Sequence, residues 1–357
     1  MKISVLPGRE LSGEHVSQWV EIQRANPALD SPYFCPEFTQ AVAAVREDVF
    51  VAVMEEGGQV CGFFPFQRGR CGIGRPVGWP MSDFHGVVAG SQVEWDAEEL
   101  LRAAGLPAWR FDHLPATQSP FRAYCWSTSP SRYMDLSGGF EAFRLARRAA
   151  GSKETRDVEA RIRRVERQVG PVRFEWHSNE QRTFQALLDW KGQQYRRTGF
   201  TDIVAIAWVA GLLDRIRQHR SAAFSGILSA LYVGDALVAV HLGMRSHGVM
   251  HRWMPAYDAE LARHGPGAMC LLRQVMAAAE HGVRRIDMGT GPQEYKLQWM
   301  SGAIDVAEGA VECRPAWRAA RRAWQCAKRC ARIPVLGSPA RLGARLTRHV
   351  RRRWLYR

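Results

Sequence analysis

A short glycine-rich segment has the residue types needed to hold a phosphate group. It reads Arg263-His264-Gly265-Pro266-Gly267-Ala268 and opens directly into a helical pattern. Glycines let the main chain approach a phosphate closely, and the free N–H groups at a helix start point at a negative charge that the helix dipole favours. Because Pro266 offers no N–H, an ordinary glycine–proline helix start is the alternative. The segment predicts a phosphate-binding loop.

Two further places carry side chains that could exchange protons or bind a substrate. His241 lies in an otherwise apolar predicted strand, where an imidazole could serve as a general base or be a hydrogen-bonded core histidine. The segment 82–86 reads Ser-Asp-Phe-His-Gly and resembles a substrate loop, with a plain turn as the alternative. Within that segment we expect Asp83 and His85 to contact the substrate.

The elements that must position these residues follow a distinctive order in the second half of the chain. A strand at 172–176 precedes two helices, at 183–197 and 203–220; three strands, a helix and a last strand follow. The order is β-α-α-β-β-β-α-β. Tight turns between the three central strands predict antiparallel pairing. The helical crossover predicts that the last strand, 283–288, lies parallel to its predecessor, 249–257.

The first half and a helical connector precede these elements. Residues 1–136 show a hairpin signal and mixed strands and helices. Two helices are predicted in the connector, at 140–148 and 155–169. The second has an apolar stripe (Val158, Ile162, Val165 and Val169), with arginines mostly on its other face. Those arginines form either a solvated face or a contact for an anion.

The chain is therefore predicted to have an α/β (α+β) fold in four parts. They are an N-terminal half (1–136), a helical connector (137–171), a C-terminal half (172–312) and a basic tail (313–357). Each half is expected to contain a mixed, mostly antiparallel sheet flanked by helices.

The positive charge of the chain is confined to that tail. The 357 residues include 49 Lys and Arg against 35 Asp and Glu, a formal net charge of +14. From Arg314 onward there are fourteen basic residues and no acidic one, so the 35 basic residues of the remainder balance its 35 acidic residues. A helix at 315–332 with a tryptophan-containing stripe, and a second basic segment at 341–357, suit an anionic membrane surface. A solvated tail is the alternative, and nucleic-acid binding is disfavoured.

Several classes of protein are disfavoured by what the sequence lacks. No window approaches the ~18 apolar residues of a membrane span, and the N-terminus lacks the apolar core of a signal peptide. We therefore expect a cytoplasmic protein, peripheral at the inner face of the membrane. The eight cysteines form no C-x-x-C pair, so no metal site is expected. Nucleotide-binding and hydrolase motifs are absent too.

The order of elements and the phosphate loop resemble the acyltransferases of the GNAT superfamily. Three stretches resemble its CelD-type branch, which is associated with cellulose and exopolysaccharide synthesis: SALYVGDALVAVHLGMRS, HRWMPAYDAELARHGPG and GVRRIDMGTGPQEYKLQWM. The first half contains further stretches that resemble the same branch: SPYFCPEF, WPMSDFHG, FDHLPATQSPF and DLSGGFEAF. The resemblance spans roughly residues 30 to 305. This branch is also similar to Fem-type ligases, which have two GNAT-like halves.

The resemblance implies a donor, a fold and a set of roles. An acyl group, most simply acetyl, would be carried on CoA and delivered to the amine of a sugar or another polar acceptor. Arg263, Gly265, Gly267 and Ala268 would bind the diphosphate of CoA, although Pro266 stands where the family has a glycine. Many members place a glutamate on the strand before this loop. Here that strand contains no glutamate, and its charged or titratable side chains are His251 and Arg252, so the general base is left unassigned.

Three residues after that strand carry further implied roles. Asp287 would lie where the two parallel strands of the sheet splay apart and could orient or deprotonate the amine. Tyr295 could protonate the leaving thiolate. Lys296 could neutralise a phosphate or an oxyanion. Two alternatives stay open: a Fem-like ligase that uses aminoacyl-tRNA, and a non-catalytic GNAT-fold scaffold at the membrane.

Overall fold

The computed structural model describes residues 1–314 and Ala319. The predicted tail helix (315–332) and the second basic segment (341–357) therefore lie outside the described residues, apart from Ala319. The same holds for Cys326 and Cys330. The six described cysteines are free thiols.

Helices flank the sheet in both predicted halves and form the connector between them. The α-helices of the described chain are α1 (Gly13–Ala25), α2 (Pro36–Ala43), α3 (Ala97–Ala103), α4 (Gly139–Ala149), α5 (Glu154–Gln168), α6 (Gln181–Arg197), α7 (Ala207–Gln218), α8 (Pro266–Glu280) and α9 (Glu294–Trp299). The helix after the phosphate loop, α8, begins with proline at its first position and continues with Met, Leu and Ala, which are strong helix formers.

The strands of the described chain join into one sheet. They are β1 (Lys2–Pro7), β2 (Val49–Glu56), β3 (Gln59–Arg68), β4 (Gly74–Arg75), β5 (Val88–Ala89), β6 (Ala108–Pro115), β7 (Cys125–Asp135), β8 (Val172–Glu175), β9 (Phe224–Val233), β10 (Ala236–Ser246), β11 (Val249–Tyr257), β12 (Arg285–Gly289) and β13 (Gly302–Glu312). Their spatial order is β1-β2-β3-β4-β6-β13-β7-β12-β11-β10-β9-β8, with β5 beside β3.

The two predicted halves meet in the middle of this sheet by exchanging strands. The first-half strand β7 pairs with β12 of the second half, and β13 returns from the second half to lie between β6 and β7. Pairing is antiparallel throughout the described sheet except at β11–β12 and β4–β6. The mixed, mostly antiparallel α/β fold is thereby confirmed, as is the parallel pairing of β12 with β11. The prediction that this strand is the last one was wrong, because β13 follows it and pairs with strands of the first half.

The connector packs on α8 through the stripe that the sequence predicted, with one exception. Val158, Ile162 and Val165 are buried in the core formed with α8 and β12. Val169 lies beyond the end of α5 and is 58% exposed, so its inclusion in the stripe was wrong. The helix ends one residue before it, which turns its side chain away from the core.

Candidate active site

The two parallel strands β11 and β12 separate after a short contact. Residues 249–251 pair with 285–287, and the described pairing between the two strands ends there. On its other side β11 shifts register against β10 between Leu242 and Met244. A bulge of this kind bends a strand and increases its twist. We call the space bounded by residues 252–257 and by the segment that follows β12 the cleft.

The predicted phosphate loop lies at the outer end of the cleft. Gly265 has a φ of +66°, which favours glycine, and α8 begins at the next residue. The amide of Ala268 donates to the carbonyl of Gly265 at 3.1 Å. Because Pro266 has no N–H, the Gly267 amide is the donor most directly offered to a ligand. A side chain at Gly267 would meet the ring of Tyr257, in β11, at 3.4 Å.

A cation from the connector covers this loop. A Cβ placed on Gly265 would lie 2.5 Å from Nη1 of Arg161, in α5. The guanidinium of Arg161 therefore adds positive charge at the start of α8, where an anion would bind. Arg263, the arginine predicted for this role, is exposed and donates from Nε to Nε2 of His264 at 3.0 Å.

Asp83 lies at the inner end of the cleft, where β11 and β12 part. Its Oδ2 is 3.2 Å from Nε2 of His251 in β11, and its Oδ1 is 3.8 Å from Nε2 of His113. Gly289 ends β12 with a φ of +71°, and a Cβ there would collide with the Asp83 carboxylate. Burial raises the pKa of Asp83, but the hydrogen bond and charge of His251, with the charges of His113 and Lys296, lower it to about 2. The carboxylate is therefore ionised near neutral pH.

His113, in β6, is a histidine of the first half that reaches the cleft. Its Nδ1 lies 3.1 Å from Oδ1 of Asp112, and its Nε2 lies 3.0 Å from Oγ1 of Thr290. Burial lowers the pKa of His113, but the hydrogen bond to Asp112 and the charges of Asp83 and Asp112 raise it above the ordinary value. With Nδ1–H donating to Asp112, Nε2 is the nitrogen that can take up a proton.

The side chains of His85 and Trp79 hold Asp112 and His113 in place through hydrogen bonds. Nε2 of His85 accepts hydrogen bonds from the amides of Asp112 and His113, at 3.2 and 3.0 Å. Trp79 donates from Nε1 to Oδ2 of Asp112 at 3.0 Å. Burial lowers the pKa of His85 to about 3, which keeps the ring neutral and able to accept. The predicted substrate residue His85 therefore supports the pair, and direct contact of His85 with a substrate stays a prediction.

The helix α9 lies on the other side of the cleft. The buried ammonium of Lys296 donates to main-chain carbonyl groups at the end of β12. The hydroxyl of Tyr295 accepts a hydrogen bond from Nη1 of Arg252 at 3.3 Å. Burial lowers the pKa of Lys296 to about 8, and the charge of Arg252 adds to this although Asp83 opposes it. Both predicted residues of α9 therefore border the cleft.

Two other residues predicted to be catalytic are held inside the protein. Asp287 is 1% exposed, and its Oδ1 accepts from Nε of Arg285 at 2.8 Å. Nδ1 of His241 lies 2.5 Å from Nε2 of Gln274. Burial, followed by the charge of Arg252, holds the pKa of His241 well below its usual range. These contacts give Asp287 and His241 structural roles, and a catalytic role for either stays a prediction.

Several residues at the inner end of the cleft had no role predicted from the sequence: Asp112, His113, His251, Arg252 and Thr290. The sequence nevertheless contained some indications of them. FDHLPATQSPF, which contains the Asp112–His113 pair, was one of the stretches that carried the resemblance. His251 and Arg252 were the charged or titratable residues of their strand. What was missing was the sheet order that places these segments side by side.

Metal and membrane signatures are also relevant to the chemistry of the site. Among the residues that the structure describes, no three His, Cys, Asp or Glu side chains are grouped as metal ligands. In the same part of the chain, no helix is long and apolar enough to cross a membrane.

Comparison with known structures places this architecture among GNAT-like folds. FemX has 9% sequence identity over 89% of this chain and 99% of its own, with a TM-score of 0.57. The C-terminal domain of a protein described as a lysylphosphatidylglycerol synthetase, from Agrobacterium fabrum, has 13% identity over 86% and 94%, with a TM-score of 0.52. L-PGS from Bacillus licheniformis has 11% identity over 87% and 95%, also with a TM-score of 0.52. At these identities the likeness is one of fold.

The element order, the diverging parallel strands and the glycine loop together define a GNAT-type acyltransferase fold. Residues 152–297 match the acetyltransferase (GNAT) domain, and this range includes β11, the loop, β12 and most of α9. The protein is therefore an enzyme of the acyltransferase class that carries a GNAT acetyltransferase domain. No curated protein matches its sequence.

Proposed function

We propose that the protein is an acyl-CoA-dependent N-acyltransferase that transfers its acyl group directly to the amine of a sugar or another polar acceptor. The observation that carries this proposal is the cleft. It has the phosphate loop at the start of α8 at one end and a cluster of Asp83, His113 and His251 at the other. A donor with a diphosphate and a reactive thioester needs both features.

In the proposed complex the donor lies along β11. The diphosphate of CoA contacts the Gly267 amide and Arg161, and the thioester lies beside Asp83 and Gly289, where the strands part. The acceptor enters from the first half, against His113. Acetyl-CoA or another acyl-CoA acts as co-substrate, and no metal is required by this scheme.

The reaction is a single displacement. The amine nitrogen attacks the thioester carbonyl carbon, a C–N bond forms, and the C–S bond breaks. Nε2 of His113 takes the proton that the amine loses, while Asp112 holds the opposite ring nitrogen. The ionised Asp83 orients the amine by accepting a hydrogen bond from it. The departing thiolate takes a proton from the hydroxyl of Tyr295.

The acceptor and the location are part of the same proposal. The CelD-type resemblance supports a role in exopolysaccharide or cell-envelope synthesis, with an amino sugar as acceptor. The basic tail would hold the enzyme at the inner face of the membrane, because each cation near an anionic surface contributes ~1 kcal/mol.

A second candidate is a Fem-like ligase that transfers an aminoacyl group from tRNA. The overall likeness to FemX and to a lysylphosphatidylglycerol synthetase supports it, because lysylphosphatidylglycerol is a lipid that carries an aminoacyl group. The same cleft would then hold the aminoacyl ester in place of the thioester.

Calorimetry with CoA separates the two candidates. We expect the intact protein to bind CoA, and Gly267→Trp to weaken binding by about tenfold to a hundredfold, because an indole would displace Tyr257 and cover the amide that faces the diphosphate. Gly13→Trp is the matched control, since nothing lies within 4 Å of a side chain at that position. Failure of the folded protein to bind CoA would exclude the first candidate.

The membrane role of the tail is tested by truncation. The full chain should sediment with vesicles that contain anionic phosphatidylglycerol, whereas a chain ending at residue 313 should stay in the supernatant, since it loses all fourteen tail cations. Neutral phosphatidylcholine vesicles are the control. Equal sedimentation of the truncated and full chains would show that the tail is not the membrane anchor.

A further inference from the structure

Buried cations line the donor side of the cleft without an acidic partner. Arg252, Lys191 and Lys296 are 8%, 9% and 6% exposed. The Nε of Arg252 is buried and has no hydrogen-bond partner. Nζ of Lys191 donates to the carbonyl of Pro255 and to Oε1 of Gln194, both at 3.1 Å and both neutral. Within residues 1–314, none of the three cations forms an ion pair with an Asp or Glu oxygen.

These cations share one electrostatic environment. Burial, followed by the charge of Arg252, lowers the pKa of Lys191 to about 8. The charge of Arg252 also lowers the pKa of Lys296. Asp83, the acid that affects Lys296, is itself bonded to His251. Buried cations without a partner are unfavourable, so an anionic ligand would relieve the repulsion at this place.

Arg252 lies some distance along β11 from the phosphate loop. Arg252 follows the last residue of β11 that pairs with β12, and Tyr257 adjoins the loop at Gly267. Five residues of extended chain span roughly 16 Å. A diphosphate held at the loop is therefore well separated from the main chain at Arg252. The cleft therefore has two separate places for negative charge, and the second lies where the acyl group of the donor would be.

We propose that the acyl group of the donor carries a carboxylate, so that the donor is the CoA thioester of a short dicarboxylic acid. This inference rests on the proposed function. Arg252 offers its unpaired Nε–H to the carboxylate, and Lys191, whose Nζ contacts the carbonyl of Pro255, adds a positive charge nearby. An aminoacyl donor would instead bring an ammonium group against the same cations, which repel it.

Two donors of equal chain length test the inference. Succinyl-CoA and butyryl-CoA both carry four-carbon acyl groups and differ in a terminal carboxylate against a methyl group. Calorimetry with the full chain should show succinyl-CoA binding about tenfold more tightly. Arg252→Gln and Lys191→Met should each reduce this difference, by weakening the binding of succinyl-CoA more than that of butyryl-CoA. Arg215→Gln, an exposed change on α7, is the control.

The outcomes separate this inference from the proposed function. If free CoA binds but the two thioesters bind with equal affinity, the inference alone is overturned. That result is expected if the buried cations hold an anionic group of the acceptor. A preference for succinyl-CoA that survives both variants would also overturn it, because other residues would then hold the carboxylate. Absence of any CoA binding would overturn the proposed function and this inference together.

Discussion

Replacement of His113 by glutamine is expected to lower kcat by about a hundredfold to ten-thousandfold, the usual contribution of a general base. Glutamine keeps a polar side chain near Thr290 and Asp112 but cannot take up the amine proton. CoA binding should be unchanged, because His113 lies on the acceptor side of the cleft. The rate is measured as release of the CoA thiol from acetyl-CoA, with glucosamine as the acceptor probe.

The pH profile distinguishes a base from a structural histidine. His113 must be unprotonated to act, and its pKa lies above the ordinary value, so kcat/KM should rise with pH through that raised pKa. Asp112→Asn removes the carboxylate that raises the pKa, and the rise should shift to lower pH. His281→Gln, an exposed histidine at the C-terminal end of α8, is the control. An unshifted profile in Asp112→Asn, or full activity in His113→Gln, would show that another group is the base.

Arg285→Met is expected to lower the free energy of unfolding by about 3–5 kcal/mol, the typical cost of removing one partner from a buried ion pair. The guanidinium of Arg285 donates to both Asp30 and Asp287, at distances of 2.6 to 3.3 Å, and so joins the first half to β12. Without it, two carboxylates would lie close together without a cation. Urea unfolding measures the loss, with Arg215→Met, a change of an exposed arginine on α7, as the control.

The pH dependence of this loss has a definite sign. Burial already raises the pKa of Asp30, and removal of Arg285, whose hydrogen bond and charge oppose this rise, raises the pKa of Asp30 further. A raised carboxyl pKa in the folded state destabilises the protein above the unfolded-state pKa and ceases to do so as the group becomes protonated. The deficit of Arg285→Met should therefore be smaller at pH 4 than at pH 7. A deficit that is equal at both pH values would mean that lost packing, rather than charge, is the cause.

Local patterns were sufficient for the elements of the second half from β8 to β12, but they predicted neither α9 nor β13. The strand–turn–strand alternation at β9, β10 and β11 and the apolar period of α8 predicted both the elements and the parallel placement of β12, since each depends on neighbours within a few residues. The phosphate loop was visible for the same reason. A helix start with glycines is a local feature, and its ability to bind an anion follows from main-chain geometry.

The strands that join the two halves were not visible in the sequence. Four consecutive residues of β7, 127–130, are exposed Ser-Thr-Ser-Pro, a composition that predicts a loop. They form a strand because β13 pairs along β7 on one side and β12 adjoins its end on the other. Strand propensity depends strongly on such neighbours, which a local pattern does not contain.

The sequence by itself determined the class of fold, the loop at the start of α8 and the confinement of excess charge to the tail, because these follow from periodicity, glycine placement and composition. Only the tertiary structure decided which side chains meet at the inner end of the cleft. Asp83, His113 and His251 are far apart along the chain, and they meet through strand pairings between the halves. It also decided that Arg285, which lies two residues from Asp287 on the same strand, bonds at the same time to Asp30 of the first half, a contact that the spacing of residues does not reveal.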